Sequence, residues 1–193
     1  MAADTAGNDL DAVGVPLTGL AAFAPAEVAN VIPKLDLNKS PLTLPAAFKR
    51  LGLYKVDGGP APSRESGDAI EFFQKGYTLA GDGTRAVVIN LAEQNPAVQE
   101  LTEGAEPDAN GVIEVSSSIP SNRFILLVVT KYRGGKEKRQ IGVAAVTAVE
   151  PDQQTRGEVE GQAVTFTWQE DDLFNGAPFW QWVGVPGAAP GEG

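Results

Sequence analysis

Short apolar runs separated by glycine and proline extend along this chain, and they constrain its fold more than any other feature. The chain has 22 glycines and 14 prolines among 193 residues. Its longest apolar run, from Phe124 to Val129, has only six residues. Runs of this length suit β-strands and are far too short to cross a membrane as a helix. We therefore predict a mainly β protein with many turns.

The same distribution divides the chain into three parts. Residues 1–47 are predicted to form a partly irregular N-terminal arm, because a proline every eight or nine residues prevents a long helix. Residues 48–185 carry the regular strand patterns and are predicted to form the β domain. Residues 186–193 are rich in glycine, alanine and proline, and we expect a flexible C-terminal tail.

One segment departs from the strand pattern and predicts a short helix at residues 96–103. Asn95 can accept a hydrogen bond from a free amide group of the first turn, and Pro96 suits the first helical position because it lacks an amide hydrogen. Val98 and Leu101 are three residues apart, so they share one face that can pack on a sheet. The predicted fold is two packed antiparallel sheets, a β sandwich or barrel-like arrangement, flanked by this helix.

Two neighbouring segments in the first half predict a long loop and a hairpin. The loop runs from Asp57 to Asp68, and loops of this length are usually functional or disordered. The hairpin pairs Tyr77–Ala80 with Thr84–Glu93 around the turn Gly81-Asp82-Gly83. Further strands are predicted at residues 51–56, 69–74, 111–119, 123–132, 137–150, 158–169 and 177–184.

The residue types that the chain lacks restrict its chemistry. It has no histidine and no cysteine. A Ser-His-Asp triad, a cysteine nucleophile, a disulfide, and zinc, haem or iron–sulfur centres held by histidine or cysteine are therefore excluded. Acid–base catalysis would fall to carboxylates or lysine. We expect a protein that is not an enzyme and has no cofactor.

Three motifs resemble functional sites but have simpler interpretations. Gly81 and Gly83 fit a dinucleotide-binding pattern, yet a β-branched strand follows them where that pattern needs a helix. Residues 106–111 resemble the start of a calcium loop, but Ser117 stands where a bidentate glutamate is needed. The carboxylates of residues 170–172 could belong to a glycosidase, although acidic turns are common. We interpret all three as turns.

Tryptophans near the C-terminus support an alternative function from a different class. Trp168, Trp180 and Trp182 could form a flat aromatic platform of the kind that stacks on sugar rings. A carbohydrate-binding β-sandwich module is therefore the alternative, and it predicts that these tryptophans are exposed.

Charge is distributed unevenly along the chain, whose formal net charge is −10. Residues 81–120 contain one arginine and seven acidic residues, whereas basic residues cluster around one later hairpin. Nucleic-acid binding would use such a basic patch to displace counterions from phosphates. Oppositely charged surfaces on one chain fit self-association at least as well. The candidate subunit-contact residues of this basic hairpin are Lys131, Arg133, Lys136, Lys138 and Arg139.

Several segments, in their order and spacing, resemble the major tail protein, the tail-tube subunit of long-tailed siphophages that infect actinobacteria. The most specific piece is a strand that ends in an acidic residue and is followed directly by the short helix capped by Asn95. The segments that carry the resemblance are Phe48–Leu53, Asp57–Gly59, Ala69–Phe73, Val87–Glu93, Asn95–Leu101 and Asp171–Pro178.

The resemblance implies a structural virion protein. It implies homohexameric rings that stack into the hollow tail tube, through which DNA passes transiently and without sequence specificity during ejection. The partners implied are further copies of the chain, the tape-measure protein and other tail proteins. The chain would be synthesised in the host cytoplasm, end in the virion tail and bind no membrane.

The resemblance also implies which residues make contacts between rings. In that family a long loop contacts the next ring, and the candidate residues of this chain are Asp57, Gly58, Gly59, Arg64, Glu65 and Asp68. Six copies at −10 each carry −60 per ring, a charge that repels DNA where it faces the lumen. The basic hairpin would then lie at contacts between subunits or rings.

Overall fold

The longest strands form where the apolar runs and the alternating segments predict them, and most strands join one sheet. The computed structural model describes residues 5–9, 12–105 and 107–188. Short 3-10 helices cover Val28–Asn30, Lys34–Asp36 and Asp172–Phe174. The other elements are β1 (Pro16–Pro25), β2 (Lys49–Arg50), β3 (Ala61–Glu65), β4 (Ile70–Glu71), β5 (Thr78–Leu79), β6 (Thr84–Leu91), α1 (Pro96–Glu103), β7 (Phe124–Tyr132), β8 (Glu137–Pro151), β9 (Gln162–Gln169) and β10 (Phe179–Gly184).

An antiparallel sheet of eight strands has the order β2-β1-β7-β8-β9-β6-β3, and β10 also pairs with β8. Strand β8 is long enough to pair with strands in both halves of this sheet. Its first half pairs with β7 along one edge and with β10 along the other, and its second half pairs with β9. Strands β4 and β5 form a separate two-stranded sheet.

The two halves of the large sheet face each other across the main core. Phe23 of β1 and Phe124 of β7 pack edge to face with their ring centroids 5.6 Å apart, and Phe124 packs in the same way against Phe166 of β9 at 6.2 Å. The mainly β fold with packed antiparallel layers is therefore confirmed. The layers are halves of one continuous sheet, and within the described residues this sheet does not close into a barrel.

The outer face of β1, β7 and β8 carries a second core. Ile32 and Leu37 cover Ile125, Ile141 and their neighbours, and Phe174 closes the cluster. The segment 1–47 was expected to be partly irregular, yet it supplies both β1, an inner strand, and part of this cover. The packed structure therefore continues across the predicted boundary at residue 47. Of the predicted tail 186–193, residues 189–193 lie outside the described part of the chain.

Helix α1 confirms the helix prediction. The side chain of Asn95 accepts a hydrogen bond from the amide of Val98 at 3.0 Å, and Pro96 begins the helix. Gly104 ends it with φ at 76°, in the left-handed region that glycine adopts at little cost. Val98 and Leu101 are buried in the main core, so the helix packs on the sheet.

The predicted pairing of Tyr77–Ala80 with Thr84–Glu93 is wrong. Strand β6 pairs with β3 on one side and β9 on the other, and β5 pairs with β4. Strand β6 is apolar on both faces and gains more burial between two strands of the large sheet than in a short hairpin. The predicted loop from Asp57 to Asp68 therefore contains a strand, β3. The segments 51–56, 69–74 and 111–119 form only an isolated bridge at Tyr54, a two-residue strand and no regular strand, respectively.

Candidate protein–protein interface

A second segment projects from the sheet between β3 and β6. It covers residues 61–83, begins with β3, and is called the arm from here on; it is distinct from the N-terminal arm of residues 1–47. Every residue from 61 to 80 is exposed. Strand β3 pairs with β6 at the sheet edge, and β4 and β5 then form a two-stranded hairpin beyond it. The amide of Gly67 donates a hydrogen bond to the carbonyl of Asp82 at 2.9 Å, which fixes the point where the hairpin leaves the sheet.

One face of this hairpin is entirely apolar. Ile70 lies opposite Leu79, and the amide of Phe72 donates to the carbonyl of Tyr77, so these four side chains alternate onto the same face. Their exposed fractions are 51–69%, and Phe73 at the tip is fully exposed. An isolated two-stranded hairpin is marginally stable in water, and an exposed apolar patch marks an interaction site. The arm therefore has the chemistry of a surface that is covered in an assembly.

An open groove of about 690 Å³ lies at the end of the sheet that carries the β7–β8 turn. By register, Gly19, Thr130 and Lys138 lie side by side, two residues beyond the core positions Ala21 and Val128 on the same face. The groove is thus the open end of the space between the two layers. It is lined by Pro16–Gly19, residues 52–57, Gly59, Pro60, Pro62, Thr130, Tyr132, Lys138 and Gln140.

In the described part of the chain, the strand edge beside this groove has no partner strand over half its length. One edge of β1 pairs with β7 throughout, whereas β2 pairs with the other edge only at Ala22 and Phe23. Among the described residues, no strand pairs with that second edge between Pro16 and Leu20. Unpaired edge strands readily accept a strand from another chain.

Tyr54 lines the groove and packs against β1 at Gly19. A Cβ at Gly19 would lie 3.3 Å from Cε2 of Tyr54 and 2.8 Å from the carbonyl oxygen of Val129, so the close packing of Tyr54 on β1 requires glycine there. The Tyr54 hydroxyl is buried without a hydrogen-bond partner in the described structure. Its burial raises the pKa of Tyr54 well above the usual value, so the hydroxyl stays neutral.

The candidate basic hairpin does not form one surface patch. Lys138 lies in the groove, whereas the ammonium of Lys131 pairs with the carboxylate of Glu137 at 3.4 Å. Arg133 is exposed at the turn, and Lys136 is partly buried beside it. Lys131 and Glu137 lie opposite each other on the sheet face that points away from the groove, so the positive charge beside the groove comes from Lys138 and from Arg133 and Lys136 in the turn next to Tyr132.

Arg139 does not belong to that surface, because only 3% of its area is exposed. Its guanidinium donates hydrogen bonds to the carboxylate of Glu137 at 2.8 Å and to the backbone carbonyls of Leu37 and Lys39 at 2.9 and 2.8 Å. It also lies 5.1 Å from the ring centroid of Trp182. Arg139 therefore holds the chain's own segments together and is not available to a partner.

The candidate inter-ring residues fall into two separate places. Asp57, Gly58 and Gly59 lie at or beside the groove, and the amide of Asn90 donates to the carbonyl of buried Gly58. Arg64, Glu65 and Asp68 lie in the arm and are exposed.

The apolar face of the hairpin was not predicted from the sequence. Alternating apolar residues on both sides of Lys75-Gly76 were the signal that could have revealed it.

Among the described residues the tryptophans form no fully exposed platform, because Trp168 is buried and Trp180 and Trp182 are partly buried against the second core. Trp168 is 6% exposed and packs beside Phe179. The indole of Trp180 donates to the carbonyl of Phe174 at 3.1 Å, and Trp182 lies under Arg139. Trp168 therefore belongs to the main core, whereas Trp180 and Trp182 of β10 pack against the second core.

In the described part of the chain, one acidic motif forms a turn at Asp108–Gly111 and the other begins the 3-10 helix Asp172–Phe174. The carboxylate of Asp108 accepts hydrogen bonds from the amides of Asn110 and Val112, both at 2.8 Å, and these bonds lower the pKa of Asp108. Asp171 accepts from the amide of Leu173 and pairs with Arg123. Glu106, the first residue of the calcium-like motif, lies outside the described residues.

Comparison with known proteins gives no family assignment: no protein-family model matches the chain, and no curated protein sequence matches it. Among the described residues, no group of three or more carboxylates is placed to hold a metal ion. No helix in the same part of the chain has the length and apolar character needed to span a membrane.

Proposed function

We propose that this chain is the subunit of a self-assembling tube, the tail tube of a long-tailed phage. Copies of the chain form hexameric rings, the rings stack, and DNA passes through the hollow tube. The observation that carries this proposal is the arm, whose hairpin presents an uncovered apolar face to solvent. The resemblance to siphophage major tail proteins supplies the particular assembly.

The arm is costly for a subunit that remains alone. Its hairpin makes two ladder pairs, Ile70 with Leu79 and Glu71 with Thr78, and no other described part of the chain packs behind it. Two-stranded sheets of this kind normally need a third strand or a packed surface to be stable. A neighbouring copy in a ring or stack supplies that surface, which explains why the chain maintains the arm.

The charge of the chain is consistent with a conduit for DNA. A tube wall must not hold the polyanion, because contacts from lysine and arginine to phosphate give tight binding. The net charge of −10 repels DNA, and the basic residues near the groove lie where a neighbouring subunit could cover them. The carbohydrate-binding alternative predicts exposed tryptophans and is less favoured, since Trp168 is buried and Trp180 and Trp182 are partly buried.

Negative-stain electron microscopy over a concentration series tests the proposal. We expect hollow tubes or six-fold rings, together with a concentration-dependent increase in sedimentation coefficient. A variant with Ile70→Thr and Phe72→Thr keeps the β propensity of the hairpin but removes half of its apolar face, so it should remain monomeric. The matched control, Thr78→Ser on the opposite face, should assemble as the unmodified chain does. Compact monomers of the unmodified chain at every concentration would count against a tube subunit.

A further inference from the structure

We propose that the groove receives the β4–β5 hairpin of a second copy, so that neighbouring subunits join head to tail. This inference rests on the proposed self-assembly and identifies the two surfaces that meet. Every copy carries both surfaces. The apolar face of the hairpin is exposed, and among the described residues no strand pairs with the edge of β1 at the groove.

The groove has the features of a strand-binding site. The free edge of β1 between Pro16 and Leu20 offers backbone donors and acceptors to an incoming strand, as in recognition by β-strand addition. Beside this edge, Leu17, Leu53 and Val56 are exposed apolar side chains. They can cover the apolar face of the hairpin formed by Ile70, Phe72, Tyr77 and Leu79.

The charges of the two surfaces are complementary. Residues 65–82 of the arm carry four acidic residues and one lysine, a net charge of −3. Residues 131–138 beside the groove carry four basic residues and one glutamate, a net charge of +3. Lys131 and Glu137 pair with each other on the opposite face of the sheet, so Arg133, Lys136 and Lys138 supply this charge. Lys55 and Asp57, which also line the groove, add no net charge. Within the described chain, neither Arg133 nor Lys138 has a carboxylate partner. This match favours a second copy of the chain as the occupant.

The chain's own hairpin lies away from its own groove. Pro60 and Pro62 line the groove, so the arm starts at the groove rim. Strand β3 then runs along β6 from the Ala61–Val88 pair to the Glu65–Thr84 pair, and the hairpin lies beyond that end. At about 3.3 Å per residue, β3 carries the chain well over 10 Å from the groove. Docking therefore occurs between copies, and a head-to-tail contact of this kind generates rings or filaments.

Cross-linking between single-cysteine variants tests this contact directly, because the natural chain has no cysteine. Thr78→Cys places a thiol on the hairpin, and Thr18→Cys places one on β1 at the groove. The two variants are mixed at concentrations that allow assembly and treated with a short bismaleimide. The matched control replaces Thr18→Cys with Ser117→Cys, an exposed position outside both surfaces. We expect at least tenfold more cross-linked dimer from the hairpin–groove mixture than from the control mixture.

The outcomes separate this inference from the proposed function. Tubes or rings without preferential hairpin–groove cross-linking would overturn the docking while leaving the tube intact. Preferential cross-linking without rings or tubes would support the docking and contradict the tube. The absence of both would contradict both. Equally strong cross-linking of the Thr78→Cys variant with itself would indicate a symmetric hairpin contact and overturn the head-to-tail arrangement.

Discussion

At the scale of single residues, Arg139 joins three parts of the chain. Its guanidinium bonds to Glu137 on its own strand and to the carbonyls of Leu37 and Lys39, and it packs on Trp182 of β10. Arg139→Met removes this planar donor group and leaves a mostly buried carboxylate and two carbonyls without their partner. We expect the free energy of unfolding to fall by about 3 kcal/mol, as for other broken buried ion pairs. Urea denaturation of the monomeric protein measures it.

Two further variants give this prediction its controls. Arg139→Lys keeps the charge but not the planar fork, so its free energy of unfolding should lie between those of the natural chain and Arg139→Met. Arg133→Met removes an exposed arginine of the turn that precedes β8, and we expect a change within about 0.5 kcal/mol. Equal effects of Arg133→Met and Arg139→Met would show that burial of Arg139 contributes nothing.

The sequence indicates that Arg139 lies on a different face from its neighbour Lys138. Successive side chains of a strand point to opposite faces, so Lys138 and Arg139 could not both lie on one surface patch. Lys138 lies in the groove and Arg139 in the second core. The density of basic residues along this part of the sequence predicted a charged cluster. It could not predict which of these residues would be exposed and which would be buried in the chain's own contacts.

At the scale of elements, helix α1 depends on its N-cap. Asn95→Ala removes the acceptor for the Val98 amide, and we expect the free energy of unfolding to fall by about 1 kcal/mol. Asn95→Ser keeps an oxygen acceptor and should recover most of that loss. Paired urea denaturation curves measure both variants, and an equal loss in the two would contradict the capping role.

Local signals explain why the helix could be predicted and the hairpin could not. The cap, the proline and the terminal glycine of α1 lie within ten residues, so the sequence displays them together. Strand pairing depends on partners far apart in the chain: β6 pairs with β9, more than 70 residues later. The turn predicted at Gly81-Asp82-Gly83 is wrong as well: these residues form an irregular link between β5 and β6, two strands that do not pair with each other.

At the scale of the whole molecule, the groove is formed by residues from distant parts of the sequence, and no single motif predicts it. The groove combines residues from β1, the segment after β2, β7 and β8, and it exists because the sheet folds over without closing. The sequence predicted the layers and the charge opposition, which depend on composition and periodicity. It could not predict the groove, because the position of an unfilled space depends on how all the strands pack.

The complementary charges predict that two assembly-defective variants assemble when mixed. Asp68→Lys with Glu71→Lys makes the arm basic while the groove stays basic, so this variant should not assemble alone. Arg133→Glu with Lys138→Glu makes the groove acidic while the arm stays acidic, with the same result. In the mixture each arm meets an oppositely charged groove, so alternating copies should assemble. Sedimentation velocity at low salt measures this, and high salt should weaken the rescue because ions screen the charges. Failure of the mixture, with both variants folded by circular dichroism, would show that these charges do not meet across the interface.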